Sequence, residues 1–147
     1  LKEKKIPFEH FVHEPVYTSE QAAASRNGDV RNGVKAMVLE TERGVILALL
    51  AAHLKLDLRT LQKRFKFKKL QLAKKETVLS STGCEPGSVP PFGFEPPIAT
   101  FLDESIFERK QSEFNIGLLT ESVRIKTTDL QKILPQKPLA FALSPAK

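Results

Sequence analysis

The sequence lacks tryptophan and has only one cysteine, one methionine and one tyrosine among its 147 residues. A single cysteine excludes disulfide bonds within the chain and is typical of a reducing compartment, so we expect a cytoplasmic location. No apolar run approaches the ~20 residues that a transmembrane helix needs. No stretch combines the basic start, apolar middle and small-residue cleavage site of a signal peptide. These absences argue against a secreted or membrane-embedded protein.

The motifs of several enzyme classes are also absent. The chain has no P-loop, no G-x-G-x-x-G after a predicted strand, no C-x-x-C pair and no G-x-S-x-G nucleophile elbow. His10 and His13 lie three residues apart in a predicted strand and point to opposite faces, and His53 is isolated, so we expect neither a metal site nor a cofactor. No sequence feature brings a histidine to Cys84, which favours an inert thiol over a nucleophile.

Positive charge is concentrated in one segment. Between Lys55 and Lys75 the sequence has nine basic residues and one acidic residue, Asp57. The segment therefore carries +8, more than the +6 of the whole chain. This pattern is typical either of a solvated helix and turn or of a surface that faces phosphate groups, and the sequence leaves both interpretations open.

Hydrophobic periodicity predicts short strands and helices in the first half of the chain. We expect a strand at 8–14, a helix that begins at Thr18 or Ser19, and a loop at 26–33. A hairpin over 34–51 should turn at Gly44, and its second, apolar arm should be a central strand. Asp57 should cap a helix whose Leu58, Leu61 and Phe65 share one face. A short strand (68–73) and a short helix (74–82) follow.

The second half predicts a strand at 98–105, a second hairpin at 112–127 and a helix at 127–134 capped by Thr127 or Thr128. The tail, 135–147, has three prolines and should wrap the surface or fray. Hairpins dominate without strict βαβ alternation. The sequence therefore predicts an α+β fold with a mixed, mainly antiparallel sheet and surrounding helices, formed by one domain (1–134) and a C-terminal tail.

The stretch TGCEPGSVPPFG, residues 82–93, concentrates three glycines and three prolines in twelve residues. Glycine lets the backbone approach a ligand and direct N–H groups at it, and proline fixes the neighbouring dihedral angles before a ligand arrives. A rigid loop with free N–H donors suits an acyl group that develops negative charge. The alternative is a structural crossover between a helix and a strand.

Two charged residues lie in predicted strands. Lys35 is surrounded by apolar residues in VKAMVLE, so it either extends to solvent from the strand end or points into a pocket. Asp103 closes the strand IATFLD, where it either caps the following turn or reaches into a cleft, and capping is the commoner outcome.

The motifs VKAMVLE, TGCEPGSVPPFG and FLDES, in this order, closely resemble the YbaK-like family, free-standing relatives of the editing domain of bacterial prolyl-tRNA synthetase. HEPVYTSEQAA resembles the start of that family and VRIKTTDLQKIL its final strand and helix, so the similarity covers roughly residues 8–134. The resemblance implies a partly barrel-like sheet and hydrolysis of mischarged tRNA, typically tRNA for proline that carries cysteine or alanine. It also implies aminoacyl-tRNA as a partner, with prolyl-tRNA synthetase as a second one.

The resemblance also implies site residues. The family lysine and strand-end aspartate match Lys35 and Asp103, and we expect Gly87 and Ser88 to complete the catalytic group. The expected substrate-binding residues are His13, Tyr17, Thr18, Gly83, Pro91, Phe92, Asn115 and Gly117. The expected tRNA-binding residues are Lys63, Arg64, Lys66, Lys68 and Lys69. Two alternatives stay open: a non-catalytic module that binds tRNA or a synthetase, and a small-molecule hydrolase or amino-acid binder.

Overall fold

The computed structural model describes residues 7–12, 30–84, 89–92, 98–118, 120–134 and 138–143. The strands in this part of the chain are β1 (Glu9–Val12), β2 (Val34–Thr41), β3 (Gly44–Ala51), β4 (Lys55–Leu56), β5 (Leu70–Leu72), β6 (Ala99–Leu102), β7 (Gln111–Leu118), β8 (Glu121–Lys126) and β9 (Ala142–Leu143). The helices are α1 (Leu58–Phe65), α2 (Lys75–Thr82) and α3 (Thr127–Ile133), with 3-10 turns at Val30–Asn32 and Glu104–Glu108. The predicted α+β class is confirmed. The predicted helix at Thr18 or Ser19 lies outside the described residues.

A four-stranded sheet in the order β5-β2-β3-β6 forms the centre of the molecule. The hairpin β2–β3 pairs in continuous antiparallel register from Val34–Ala51 to Thr41–Gly44, as predicted. Gly44 has a φ of 112°, a conformation that glycine adopts without the steric penalty of a side chain. Strand β6 pairs with β3 in parallel, and this pairing makes the sheet mixed.

The second predicted hairpin, β7–β8, is also confirmed and belongs to an antiparallel sheet in the order β1-β8-β7. Its register shifts between Asn115 and Leu118, which marks a bulge. A parallel bridge between Gly33 and Glu113 joins the two sheets next to the start of β2. Glu113 is fully buried, and its carboxylate accepts a 2.8 Å hydrogen bond from Nε of Arg124. The backbone of Glu113 therefore joins the two sheets, and its buried carboxylate is paired within the three-stranded sheet.

Two hydrophobic cores lie on opposite faces of the central sheet, because side chains alternate along each strand. The first core contains Val34, Val38, Leu47, Leu49, Leu102 and Phe114 among its buried residues. The second core contains Leu39, Ile46, Ala48, Leu50, Leu61 and Phe141. The first core fills the space between the two larger sheets, and the second core packs under α1.

Helix α1 begins as the sequence predicts. The Asp57 side chain accepts a 3.2 Å hydrogen bond from the Thr60 amide, and Leu58, Leu61 and Phe65 all pack in the second core. The predicted cap of α3 is wrong. The helix begins after Lys126 without a side-chain cap, because the Thr127 hydroxyl instead pairs with the buried Ser112 hydroxyl at 2.8 Å.

Residues 138–143 of the predicted tail pack against the domain. Leu139 forms a parallel bridge with Asp103, and β9 pairs with β4. Phe141 is 2% exposed and belongs to the second core. No helix in the described ranges is long and apolar enough to cross a membrane.

Candidate active site and basic surface

Lys35 is a half-buried residue of β2. Its ammonium donates a 2.6 Å hydrogen bond to the Leu54 carbonyl, at the turn that follows β3. Burial removes water from the ammonium and lowers the pKa of Lys35 below its usual value. An ammonium that donates one hydrogen bond to a carbonyl keeps two further N–H donors. The sequence left open whether Lys35 reaches solvent or a pocket, and the structure shows an intermediate arrangement anchored on the turn.

The turn that receives Lys35 is itself fixed on several sides. The Leu54 amide donates to the Ala51 carbonyl at 3.0 Å, and the Ala52 amide donates to the Gly33 carbonyl at 2.7 Å. His53 lies inside this turn, and its Nδ1 atom is buried without a hydrogen-bond partner. No role for His53 was predicted from the sequence. The structure places its imidazole one residue from the carbonyl that holds Lys35.

Asp103 is 2% exposed and accepts backbone hydrogen bonds with both carboxylate oxygens. Oδ2 accepts from the Ser105 amide at 2.9 Å, which caps the 3-10 turn as the commoner sequence interpretation expects. Oδ1 accepts from the Phe141 amide at 2.6 Å. Asp103 therefore connects the end of β6 to the C-terminal segment.

Strand pairing places Lys35 and Asp103 on the same face of the central sheet. Lys35 lies directly opposite Leu50, and Leu49 lies opposite Leu102. Because directly paired residues share a face and consecutive residues alternate, Leu50 and Asp103 point the same way as Lys35. The two charged residues therefore flank Leu50, with backbones about 10 Å apart across β3.

The glycine–proline stretch is anchored at its start by the end of α2. Gly83 is the C-terminal cap of that helix, with a φ of 73°, and its amide donates to the Leu79 carbonyl at 2.8 Å. The Thr82 hydroxyl donates to the Val78 carbonyl at 2.6 Å and accepts from the Cys84 amide at 3.1 Å. Residues 82–84 are therefore held in one conformation where the loop begins.

Residues 89–92, in the later part of the stretch, are anchored in the first core. Val89 and Pro91 are buried, and the Phe92 ring packs edge-on against Phe114 with centroids 5.7 Å apart. On the neighbouring bulge, Gly117 has a φ of 104°, and a side chain there would begin 3.7 Å from the Cys84 sulfur. The structure thus brings Gly83, Phe92 and Gly117 to one region at β7.

The expected site residues are therefore divided between two faces. Phe92 packs in the first core, whereas Lys35 and Asp103 share the face of the second core. Lys35 and Asn115 lie near the seam between the two sheets, each two residues from a partner in the Gly33–Glu113 bridge. The expected residues His13, Tyr17, Thr18, Gly87 and Ser88 lie outside the described residues.

The basic segment forms an exposed surface on α1 and the turn after it. We define the basic platform as six exposed side chains: Arg59, Lys63, Arg64, Lys66, Lys68 and Lys69. Within the described ranges, none of the six has a carboxylate at ion-pairing distance. An open groove crosses the platform and is lined by Arg59, Gln62, Lys63, Lys66 and Phe67.

The tip of the β2–β3 hairpin holds the backbone of the basic platform. The Glu42 carboxylate accepts hydrogen bonds from the amides of Lys68, at 2.9 Å, and Lys69, at 3.2 Å. The Lys68 amide, more than any other contact, lowers the pKa of the Glu42 carboxyl. The Arg43 guanidinium donates to the carbonyls of Phe65 and Lys66 at 3.1 Å each. The contacts of Glu42 and Arg43 have only a weak signal in the sequence, because a Glu-Arg pair in a hairpin turn is common on exposed surfaces.

No group of three or more histidine, cysteine or acidic side chains in the described residues could hold a metal ion.

Comparison with known proteins adds direct information on relatives. A family model described as an aminoacyl-tRNA editing domain matches residues 13–133. An Escherichia coli (strain K12) protein named multifunctional Ser/Thr-tRNA deacylase ProXp-y is 34% identical, over 96% of this chain and 87% of the relative. The family match includes Lys35, the whole glycine–proline stretch and Asp103.

Two solved structures share the fold. A candidate trans-editing enzyme for prolyl-tRNA synthetase superposes with a TM-score of 0.83 at 24% identity, over 91% of this chain and 85% of the other. A hypothetical protein, APE2540, superposes with a TM-score of 0.86 at 19% identity, over 96% and 95% of the two chains. Because the identities are low, these two likenesses concern the fold alone.

Proposed function

Because this chain belongs to the aminoacyl-tRNA editing domain family, we propose that it hydrolyses the ester bond of mischarged aminoacyl-tRNA. The predicted YbaK-like family is confirmed by the family match and by the 34% identical deacylase. The observation that carries the proposal is the family match over residues 13–133, which spans both faces of the candidate site.

The reaction is the attack of water on the carbonyl carbon of the ester between an amino acid and the terminal ribose. The C–O bond to water forms, the carbonyl oxygen becomes an oxyanion, and the intermediate then expels the ribose oxygen, which takes up a proton. The products are a free amino acid and uncharged tRNA. The chain must therefore hold the terminal nucleotide, stabilise an oxyanion and admit one water.

Lys35 is the candidate for holding the terminal phosphate or ribose, or for assisting the oxyanion. Its half-buried ammonium is held in place by the Leu54 carbonyl and keeps N–H donors available for a ligand. Partial desolvation strengthens its attraction to an anion relative to a fully hydrated lysine. The neighbouring ribose hydroxyl would orient the attacking water, which makes the mechanism partly substrate-assisted.

The amides around Gly87 and Ser88 are the candidates for the oxyanion site. Support comes from the two flanks of this segment: Gly83 caps α2, and Pro91 is fully buried. A loop fixed at both ends presents its N–H groups with little reorganisation, and loss of one oxyanion donor costs on the order of a hundredfold in rate.

Asp103 is proposed as a positioning residue. Both of its oxygens accept hydrogen bonds from backbone amides. Asp103 would therefore fix the end of β6 beside Leu50 and in this way position the substrate amino group or Lys35. The residues proposed to surround the aminoacyl group are His13, Tyr17, Thr18, Gly83, Pro91, Phe92, Asn115 and Gly117.

The family resemblance suggests cysteine and alanine on tRNA for proline as substrates, whereas the 34% identical relative is named a Ser/Thr-tRNA deacylase. All four amino acids are small. We propose that the site accepts small aminoacyl groups, with serine and threonine first. Recruitment by prolyl-tRNA synthetase is a further proposal that the same assay addresses when the synthetase is added.

The test is single-turnover deacylation of tRNAs charged with serine, threonine, alanine, cysteine and proline. We expect release of at least one small amino acid, and a loss on the order of a hundredfold for Lys35→Ala. Lys110→Ala is the matched control, since Lys110 is an exposed lysine directly before β7 of the other sheet. Binding of charged tRNA without release of amino acid would favour the non-catalytic module. Near wild-type rates for Lys35→Ala would remove Lys35 from the mechanism.

A further inference from the structure

The basic platform has a fixed backbone, which is unusual for an exposed lysine-rich turn. Glu42 binds the amides of Lys68 and Lys69, and Arg43 binds the carbonyls of Phe65 and Lys66. From the other side, the Gln62 side-chain amide donates to the carbonyls of Phe67, at 3.2 Å, and Lys68, at 3.3 Å. The Arg43 guanidinium also lies 4.8 Å from the centre of the Phe67 ring. Side chains from both the hairpin tip and α1 therefore hold the backbone of the turn.

One member of the platform adopts a conformation that favours glycine. Lys66 ends α1 with a φ of 54°, the only positive φ among the non-glycine residues that the structure describes. A residue with a side chain is sterically disfavoured in this region. Lysine at a position where glycine is preferred therefore keeps a positive charge on the platform at the cost of backbone strain.

Cations on successive turns of α1 border one groove. Arg59, Lys63 and Lys66 lie three or four residues apart, so their side chains emerge from the same side of the helix and its end. The groove is open, and the buried Phe67 also lines it. This arrangement presents a row of positive charges along a shallow surface.

We propose that the basic platform binds the sugar-phosphate backbone of the tRNA and that the Glu42–Arg43 hairpin tip holds it in its binding shape. This proposal rests on the proposed function, which supplies a nucleic acid as the substrate carrier. A row of cations that have no carboxylate partner within the described ranges suits RNA. Each contact with a phosphate releases bound counterions, and an acidic protein surface, which has a lower charge density, releases fewer. Preorganisation of the backbone lowers the ordering cost of binding.

The first experiment measures binding of uncharged tRNA by fluorescence anisotropy over a series of salt concentrations. We expect Lys68→Gln/Lys69→Gln and Lys63→Gln/Lys66→Gln each to weaken binding about tenfold and to reduce the log–log salt slope by about 1 for each phosphate-contacting cation. Lys110→Gln/Lys126→Gln removes the same charge from exposed positions directly before β7 and at the end of β8, and we expect it to change the slope little. Equal effects of the control and platform variants would overturn the proposal.

The second experiment separates shape from charge. Glu42→Gln makes the protein more positive, so charge alone predicts tighter binding of tRNA. The proposal predicts weaker binding, by about threefold to tenfold, because the NH2 group of glutamine replaces one of the two acceptor oxygens and faces a backbone N–H donor. Glu76→Gln is the matched control, since Glu76 is an exposed acidic residue of α2 outside the platform. Tighter binding by Glu42→Gln would overturn the role of the hairpin tip.

Two further readouts keep the outcomes distinct. Polyglutamate at equal charge concentration should compete poorly with tRNA, and competition as strong as that of tRNA would indicate an acidic protein partner and overturn the RNA assignment. Where the wild type hydrolyses aminoacyl-tRNA, the platform variants at subsaturating protein should deacylate it more slowly, in proportion to their loss of affinity, and a rate equal to that of the wild type would overturn the role of the platform. If no variant or wild-type protein hydrolyses any aminoacyl-tRNA while the salt dependence behaves as expected, the function proposal fails and the surface proposal stands.

Discussion

Lys35 and Leu54 are joined by a 2.6 Å hydrogen bond from the ammonium to the carbonyl, which ties the start of β2 to the turn after β3. Burial lowers the pKa of this ammonium, so it loses its proton at a lower pH than an ordinary lysine does. The bond thus combines two properties that a substrate-binding cation needs, a fixed position and incomplete hydration.

A pH dependence follows from Lys35. If the ammonium binds the substrate, the single-turnover rate, corrected for spontaneous deacylation, should fall as pH rises through the lowered pKa. Lys35→Arg retains a positive charge at high pH, so its rate should lack that falling limb. A falling limb at the same pH in Lys35→Arg would assign the titration to another group.

The stability of the protein should change with pH in the opposite sense. Because the pKa of Lys35 is lower in the folded state, the unfolded chain binds more protons between the two values. The free energy of unfolding of the wild type should therefore rise with pH in that window relative to Lys35→Met. Denaturant titrations of both proteins across this range measure the difference, and parallel curves would contradict the partial burial of the ammonium.

Asp103 should contribute to stability through the C-terminal segment. Asp103→Asn leaves one carbonyl oxygen for two buried amides, so we expect a loss of about 2–3 kcal/mol in the free energy of unfolding. Glu104→Gln is the control, since it removes the same charge from the exposed neighbouring side chain. In a chain that ends at residue 137, Asp103→Asn should cost less, because the Phe141 amide is absent. Equal costs in both backgrounds would contradict the coupling.

Substitution of Lys66 by glycine should change the stability of the protein and its affinity for tRNA in opposite directions. Lys66→Gly removes the side chain from a left-handed position, so the free energy of unfolding should rise by about 1 kcal/mol. Affinity for tRNA should fall, because one cation of the platform is lost. Lys66→Ala loses the same charge without relieving the backbone, and chemical denaturation of the two variants measures the contrast. A stability of Lys66→Gly below that of Lys66→Ala would argue against strain at this residue.

Cys84 should be dispensable for hydrolysis. Its thiol donates to the Thr82 carbonyl at 3.4 Å and faces Gly117, and the two histidines in the described residues, His10 and His53, make no contact with it. We expect Cys84→Ala to retain single-turnover deacylation within about twofold. A loss above tenfold in Cys84→Ala, with unchanged thermal stability, would indicate a nucleophilic thiol instead.

Local signals in the sequence predicted the elements that local physics determines. Asp57 caps α1 because its side chain and the Thr60 amide are three residues apart, and Gly44 turns the first hairpin because few other residues accept its φ. The same reasoning failed at Thr127. Its hydroxyl pairs with the buried Ser112 hydroxyl on β7 and not with an amide in the first turn of the helix.

The contacts that were not predicted from the sequence join residues that are far apart in the chain. The pairing of Glu42 with Lys68 and Lys69 spans 26 and 27 residues, and the bond between Asp103 and Phe141 spans 38. Neither has a periodic pattern or a motif. The division of Lys35 and Phe92 between two faces depends on strand register across β2, β3 and β6, which propensity alone does not determine.

The order of strands in the central sheet has a consequence for folding. The chain after β3 first adds β5 beside β2 and later adds β6 beside β3, so both edges of the β2–β3 hairpin are covered by strands that follow it in sequence. Because the hairpin pairs residues that are close in the chain, whereas β5 and β6 close longer loops, we expect the hairpin to form first and the two edge strands to assemble on it afterwards.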